Sequence, residues 1–97
     1  MKLEWDEAKN RANIRKHGFD FSDAERLIQA PVLAEPDLRE DYGERRWAGL
    51  GMIGNSTVKV VFAEAGDETV RIISLRKATT RERKEYEKAL QNGLEAY

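Results

Sequence analysis

The stretch TVKVVFAEAGDETVRIISLR, residues 57–76, decides the fold of this chain. Its valine-rich first part, Thr57–Ala63, predicts a β-strand, and Thr69–Arg76 predicts a second one. A Gly-Asp pair between them is typical of a tight turn, so we expect an antiparallel hairpin. Alternation along the second strand predicts that Val70, Ile72, Ser74 and Arg76 share one face, and that Arg71, Ile73 and Leu75 share the other.

Residues on both sides extend this hairpin. Upstream, Arg45–Ile53 predicts a third strand, whose glycines indicate a bend or a close approach to another group. Downstream, Thr79 or Thr80 begins a C-terminal helix, and Glu82 completes a capping box with Thr79. The second half of the chain therefore predicts three strands followed by a helix.

The N-terminal part predicts a short strand and a first helix. Residues 2–5 are the candidate for a leading strand. Asp6 is a favourable N-cap for a helix that runs to about Lys16, and Gly18 is well placed to end it.

A second, short helix is predicted over residues 23–29. Ser22 is its expected N-cap, Glu25 completes a capping box, and Pro31 ends it. The acidic, proline-containing stretch that follows predicts a loop with a brief extended piece at Val32–Leu33. The expected class is α+β: two N-terminal helices, an antiparallel sheet of three to four strands, and a C-terminal helix, with the helices on one side of the sheet.

The composition is that of one small domain, residues 1–97, with 40% hydrophobic and 36% charged residues. There is no cysteine, which excludes disulfides, thiolate metal sites and thiol nucleophiles. No apolar run approaches the ~20 residues of a membrane span, and the N-terminus is too polar for a signal peptide. We therefore expect a cytoplasmic protein without a membrane partner.

The net charge of −1 conceals a strong asymmetry. Basic residues dominate Lys9–His17 and Arg71–Lys88, whereas acidic residues dominate Asp20–Glu44. The two basic segments indicate a localised anion-binding surface, and solvated helix faces with internal ion pairs are the alternative. The acidic segment suits a solvated or partner-facing surface better than a Mg²⁺ site, because it lies in a proline-containing loop.

The usual catalytic signatures are missing from the sequence. There is no glycine-rich phosphate loop and no paired-histidine spacing, and one histidine, His17, cannot assemble a histidine-rich metal site. We therefore expect no metal and no other cofactor. What remains is a concentration of cationic and hydrogen-bonding side chains.

Three segments resemble the BrnT toxin family: EWDEAKNRANIRKHGFDF (Glu4–Phe21), GERRWAGLG (Gly43–Gly51) and VRIISLRKATTRERKEYE (Val70–Glu87). They stand in the family's order and together span nearly the whole chain, with Leu75 departing from a common alanine. The resemblance implies a single RelE-like domain that cleaves RNA, inhibits translation, and is neutralised by a DNA-binding antitoxin similar to BrnA. This chain would contact DNA only through that antitoxin.

A ribonuclease without a metal must stabilise the charge that develops when the RNA 2′-hydroxyl attacks the adjacent phosphate. Arginine suits this task because its planar fork binds phosphate oxygens in pairs and stays charged. Arg76 and Arg81 are the candidates for this role, and His17 or Glu82 for proton transfer. The candidates for RNA binding are Lys9, Lys16, Lys77, Arg45, Trp5 and Trp47.

Each candidate has a structural alternative. His17 also suits a helix C-terminus, Glu82 a capping box, and the two tryptophans the core. Of Arg45 and Arg46, only one can point to a site on a given side of the strand. The rival function is a non-catalytic module that binds RNA or an acidic partner. In either case we expect a protein partner to cover the basic surface.

Overall fold

The structure, a computed structural model, describes residues 1–39, 41 and 43–93, without the side chains of residues 28 and 29. Its elements in chain order are β1 (Lys2–Glu4), α1 (Glu7–His17), a 3₁₀ helix (Phe21–Gln29), β2 (Leu33–Pro36), β3 (Arg46–Ile53), β4 (Ser56–Gly66), β5 (Thr69–Lys77) and α2 (Thr80–Gln91). The predicted α+β class is confirmed. The second helix is of the 3₁₀ type.

The strands form one five-stranded mixed sheet in the order β1-β5-β4-β3-β2. β1 pairs in parallel with β5, and all other neighbours are antiparallel. The prediction of an antiparallel sheet with three to four strands is therefore wrong in the strand number and in the direction of β1. β2 was expected to be mostly loop, but it is an edge strand that ends at Pro36, where a missing N–H is tolerated. A strand as short as β1 carries no sequence pattern that sets its direction.

The predicted alternation along β5 is also wrong. Ile72 and Leu75 are both buried in the core although they are three positions apart. The pairing of β5 with β4 shifts register between them, which marks a β-bulge. The extra residue turns the rest of the strand over, so Arg76 lies on the face of Arg71 and not on that of Ile72.

The core lies between the 3₁₀ helix and one face of the sheet, named the core face. The helix contributes Phe21, Ala24 and Leu27, all buried. The sheet contributes Ile53, Val58, Val60, Ile72 and Leu75. The close approach expected at the β3 glycines is confirmed, because a Cβ on Gly51 would lie 2.8 Å from Leu27 Cδ2.

The cap of the 3₁₀ helix differs from the predicted one. Asp20, and not Ser22, is the N-cap, and its Oδ1 accepts a hydrogen bond from Ser22 N at 2.9 Å. Asp23 Oδ2 accepts from Asp20 N at 3.2 Å and so replaces the predicted Glu25 in the capping box. This earlier start puts Phe21 at the first helical position, from which it enters the core.

α1 has its predicted N-cap, Asp6, and its predicted left-handed terminator, Gly18, with φ 78°. Its buried residues are polar, namely Asn10 and Asn13. The Asn13 amide donates to Leu75 O at 2.8 Å and accepts from Leu75 N at 3.2 Å. β1 pairs with β5 only upstream of this point, so the amide takes the place of a neighbouring strand.

α2 begins at the predicted Thr79 capping box with Glu82. It contacts the sheet face opposite the core face, because Glu82 pairs with Lys59, which alternates with the core residues of β4. Buried Tyr86 anchors the helix by donating from its hydroxyl to Pro31 O at 2.7 Å. The prediction that all helices lie on one side is wrong, since this second face also carries buried apolar residues for α2 to cover.

Candidate catalytic face

The sheet face opposite the core face carries a group of basic side chains. On β4, Lys59 and Ala63 point to this side because they alternate with core residues. Arg76 pairs with Lys59, while Arg46 and Arg71 pair with Ala63 from its two sides. The face that carries Arg46, Lys59, Arg71 and Arg76 is named the cation face.

Three charged side chains meet at the α2 end of this face. Glu82 accepts from Arg76 Nη1 at 2.8 Å and from Arg76 Nη2 at 3.0 Å, a bidentate pair. Lys59 Nζ lies 3.4 Å from Glu82 Oε2. The group formed by Lys59, Arg76 and Glu82 is named the Arg76 cluster. It holds one more positive charge than negative.

The Arg76 cluster controls the ionisation of Glu82. The hydrogen bonds from Arg76 lower the pKa of the Glu82 carboxyl to about 2, aided by the Thr79 N–H and opposed by partial burial. At neutral pH Glu82 is therefore a carboxylate, with no proton to donate and little basicity. Its geometry suits holding the Arg76 guanidinium in one orientation.

Two further arginines lie at the other end of the cation face. Arg71 donates to Glu4 Oε2 from Nε and to Glu44 Oε2 from Nη1, both at 3.1 Å. Arg46 Nε donates to Glu44 Oε1 at 3.2 Å. Four positions on β4 separate the two ends, a span of ~13 Å of strand. Between the two ends lie Ala48, Val61 and Ser74, and the exposed Glu35 of β2 stands at the end of the same row.

The structure brings together only two of the predicted catalytic residues, Arg76 and Glu82. Arg81 is exposed in the first turn of α2, and Lys77 is exposed at the end of β5, where its carbonyl accepts from Arg76 Nη1 at 3.1 Å. The remaining candidates on α1 form no side-chain hydrogen bond or ion pair with the Arg76 cluster in the described part of the chain; Lys9 and Lys16 are exposed, and His17 is half-buried. α1 itself packs on β5.

The tryptophans and Arg45 lie away from the cation face. Trp47 is opposite Phe62, on the core side of the sheet, and its Nε1 donates to Glu64 at 3.0 Å. Trp5 packs against the core. Arg45 is exposed and precedes β3, so Arg46 is the member of this pair that reaches the cation face.

Sequence reasoning missed Lys59, Arg71 and Arg46 as parts of one surface. Lys59 could have been identified from the sequence, because it is the single charged residue within the apolar run of Thr57–Ala63. Arg71 could not be found by alternation, since the bulge reverses its relation to Arg76.

No group of three or more His, Asp or Glu side chains among the described residues is arranged to hold a metal ion. None of their helices is both long and apolar enough to cross a membrane.

In the acidic segment, Asp37 Oδ2 accepts a hydrogen bond from Arg39 Nη2 at 2.8 Å. Glu40 of this segment lies outside the described residues.

Comparisons with known proteins agree on one family. The family described as "Ribonuclease toxin, BrnT, of type II toxin-antitoxin system" matches residues 5–82. Among solved structures, the crystal structure of the Brucella abortus ribonuclease toxin, BrnT, is similar, with 35% sequence identity and a TM-score of 0.63. The match covers 82% of this chain and 99% of that one. A comparison with curated protein sequences finds no match.

Proposed function

The chain belongs to the BrnT family of ribonuclease toxins of type II toxin–antitoxin systems, and we propose that it is a metal-independent endoribonuclease whose catalytic surface is the cation face. The observation that carries the proposal is the Arg76 cluster, in which a carboxylate orients an arginine beside a lysine. Family membership also implies an antitoxin partner.

The proposed reaction is a transesterification within the RNA. The 2′-oxygen loses its proton and bonds to the adjacent phosphorus, the bond from phosphorus to the 5′-oxygen breaks, and that oxygen gains a proton. Negative charge builds up on the non-bridging oxygens in between. Fixed cations aimed at this charge are usually the largest contribution to such catalysis, at ~3 kcal/mol for one good donor.

Arg76 is suited to this role because Glu82 uses only one edge of its guanidinium. Glu82 accepts from Nη1 and Nη2, while Nε–H makes no hydrogen bond in the described part of the chain. The edge formed by Nε and Nη2 therefore remains able to bind a phosphate in a bidentate manner. Lys59 adds a second positive charge on the same side.

Other residues take supporting roles in the proposal. Arg81 adds charge at the start of α2, and Lys9, Lys16 and Lys77 position the RNA backbone. With Glu82 held as a carboxylate, we assign proton transfer to His17, the other candidate for this role. Trp5 and Trp47 are left out of the proposed RNA surface because both lie on the core side of the sheet, and Arg46 takes the place of Arg45 there.

The test is cleavage of RNA by the purified protein in EDTA. We expect cleavage without added metal, and a loss of ~100-fold or more for the double variant Arg76→Ala, Arg81→Ala. The matched control is Arg83→Ala, Lys84→Ala, which removes the same charge from exposed positions of α2. Complete dependence on added Mg²⁺ would contradict the mechanism. Equal activity of the two double variants would contradict the location of the catalytic surface on the cation face.

The same protein preparation distinguishes an enzyme from a binding module. Arg76→Ala is expected to retain most RNA affinity while losing turnover, since many cations share the binding. If the folded wild-type protein binds RNA and never cleaves it, the chain is a binding module.

We place this activity in the bacterial cytoplasm, where it would inhibit translation until a BrnA-like, DNA-binding antitoxin neutralises it. Induction in growing cells is expected to arrest growth, with RNA breakdown preceding the fall in protein synthesis. Co-expression with the protein encoded by the adjacent open reading frame is expected to restore growth. Continued growth on induction alone, at normal protein levels, would count against the toxin function.

A further inference from the structure

The core face of the sheet is only partly covered. The 3₁₀ helix packs over one end of it through Leu27 and Gly51. At the other end an open groove of about 440 Å³ remains, walled by Leu3, Phe62, Val70 and Trp47. Met1, at the rim, is 71% exposed. This groove is on the side of the sheet that faces away from the cation face.

The groove is apolar with one charged exception. Glu64 is the only ionisable side chain among the described residues that line it. Its Oε1 accepts from Trp47 Nε1 at 3.0 Å, and its Oε2 has no hydrogen-bond partner in the described part of the chain. A carboxylate oxygen at the mouth of an apolar groove favours an occupant that combines apolar side chains with a positive charge. Contiguous apolar surface of this kind marks interaction sites in soluble proteins.

We infer that the groove is the docking site of the antitoxin, which inserts apolar side chains next to a lysine or arginine that pairs with Glu64. The volume fits this occupant, since a cavity of ~150 Å³ holds one benzene ring and the groove therefore holds about two to three side chains. The inference rests on the proposed function in taking the partner to be the antitoxin.

A second copy of this chain fits the groove less well. A two-fold contact presents the same patch from both molecules, so two Glu64 carboxylates would approach each other across it. Like charges brought together without a partner oppose association. A segment with basic residues beside its apolar anchors removes this repulsion and satisfies Glu64.

The location has a consequence for inhibition. An anchor on the core side leaves the cation face uncovered, so neutralisation requires a separate part of the antitoxin to reach around the sheet. Variants of the groove should therefore lose the antitoxin without losing the ribonuclease activity. Variants of the Arg76 cluster should do the reverse.

The first experiment fills the groove. Ala34, on edge strand β2 opposite Gly49, lines it, and Ala34→Trp places an indole in the space without removing a core side chain. Binding to the purified protein of the adjacent open reading frame is measured by titration calorimetry. We expect the Kd to rise ~30-fold or more, the loss typical of an interface hot spot. The control is Ala12→Trp, at an exposed position on α1, with a change of less than about twofold.

The second experiment reverses the charge. Glu64→Lys is expected to weaken binding ~10-fold or more, and Asp67→Lys, the same charge change in the neighbouring exposed turn, by less than about threefold. Circular dichroism establishes that each variant is folded. If Ala34→Trp does not fold, Glu64→Lys decides, because Glu64 is exposed and outside the core.

The proposed docking site is wrong if folded Ala34→Trp and Glu64→Lys bind the partner with wild-type affinity. It is also wrong if the controls Ala12→Trp and Asp67→Lys weaken binding as much as these two variants do. A folded wild-type protein that fails to bind the partner overturns it as well. Because binding is measured without RNA, a failure of the proposed ribonuclease function is seen separately. In that case the wild type binds the partner, the groove variants lose it, and no variant cleaves RNA.

Discussion

The 3₁₀ helix and α1 are attached to the same sheet by different kinds of interaction. The 3₁₀ helix is attached by apolar side chains, and its Phe21 is 0% exposed. α1 buries two asparagines instead and leaves Ile14 39% exposed. Apolar packing depends on volume and is insensitive to direction, whereas the amide of Asn13 bonds Leu75 N and O only in one orientation. The attachment of the 3₁₀ helix therefore tolerates substitution by a side chain of similar volume, whereas the attachment of α1 through Asn13 tolerates almost none.

The largest effect is expected from variants that weaken the apolar attachment of the 3₁₀ helix. Phe21→Ala leaves a cavity at the centre of the core and should lower the free energy of unfolding by ~3–5 kcal/mol. Phe21→Leu keeps most of the volume and should cost ~1–2 kcal/mol. Urea unfolding measures both. Similar losses in the two variants would show that shape, and not volume, governs this contact.

The next largest effect is expected from variants that remove the polar attachment of α1. Asn13→Ala leaves Leu75 N and O without partners and should cost ~2–3 kcal/mol. Asn13→Leu should cost as much, because an apolar side chain of similar volume cannot bond the strand. The control Ile14→Ala, at an exposed position, should stay within about 0.5 kcal/mol. Hydrogen exchange at the Leu75 amide should accelerate in the Asn13 variants alone. An unchanged exchange rate there would contradict the attachment.

A smaller effect concerns α2, which is attached in part by charge. The pKa of Glu82 falls from its ordinary 4.5 to about 2 in the folded chain, so its contribution is fully present above pH ~4.5 and is lost as the pH falls towards 2. We expect Glu82→Gln to cost ~2 kcal/mol at neutral pH, allowing for partial exposure of the side chain. This difference should shrink towards zero near pH ~2.

Urea unfolding of wild type and Glu82→Gln across this pH range tests the effect. Glu85→Gln is the control, since it removes a charge from an exposed position of the same helix. A difference for Glu82→Gln that stays constant from neutral to acidic pH would show that the ion pair with Arg76 is not what stabilises α2.

The smallest expected effect tests how closely the 3₁₀ helix packs on β3. Gly51→Ala places a Cβ 2.8 Å from Leu27 Cδ2, and buried Leu27 must shift to admit it, at a cost of ~1 kcal/mol. Leu27→Ala removes the obstructing atoms. In a double-mutant cycle, Gly51→Ala should therefore become neutral or stabilising when combined with Leu27→Ala. Additive losses would place the strain elsewhere.

Much of the fold was predictable because it depends on short-range patterns. The strands around Val60 and Ile72 follow from their β-branched composition, and the caps at Asp6 and Thr79 from hydrogen bonds within one helical turn. The capping box at Asp20 was missed because Asp20 and Ser22 are both good caps, and the choice depends on burying Phe21. Short-range preference alone does not separate two such neighbours.

The candidate site was predictable only in part. Arg76 and Glu82 are six positions apart, and the strand end and capping box that hold them are visible in the sequence. Lys59 joins them through strand pairing, and Arg71 shares their face only because of the bulge in β5. Strand pairing and bulges depend on the partner strand, so a single strand's pattern does not contain them.

The sequence by itself determined most of the strands and both α-helices, the absence of thiol chemistry and the supply of cations, because each follows from residue type or from neighbours within a turn. Only the tertiary structure decided which cations share a face, how α1 is attached, and where the groove beside Glu64 lies. Asn13 and Leu75 are 62 positions apart, and nothing local to either residue specifies the other. Contacts of that range form only when the sheet is assembled, since its register determines which side chains meet.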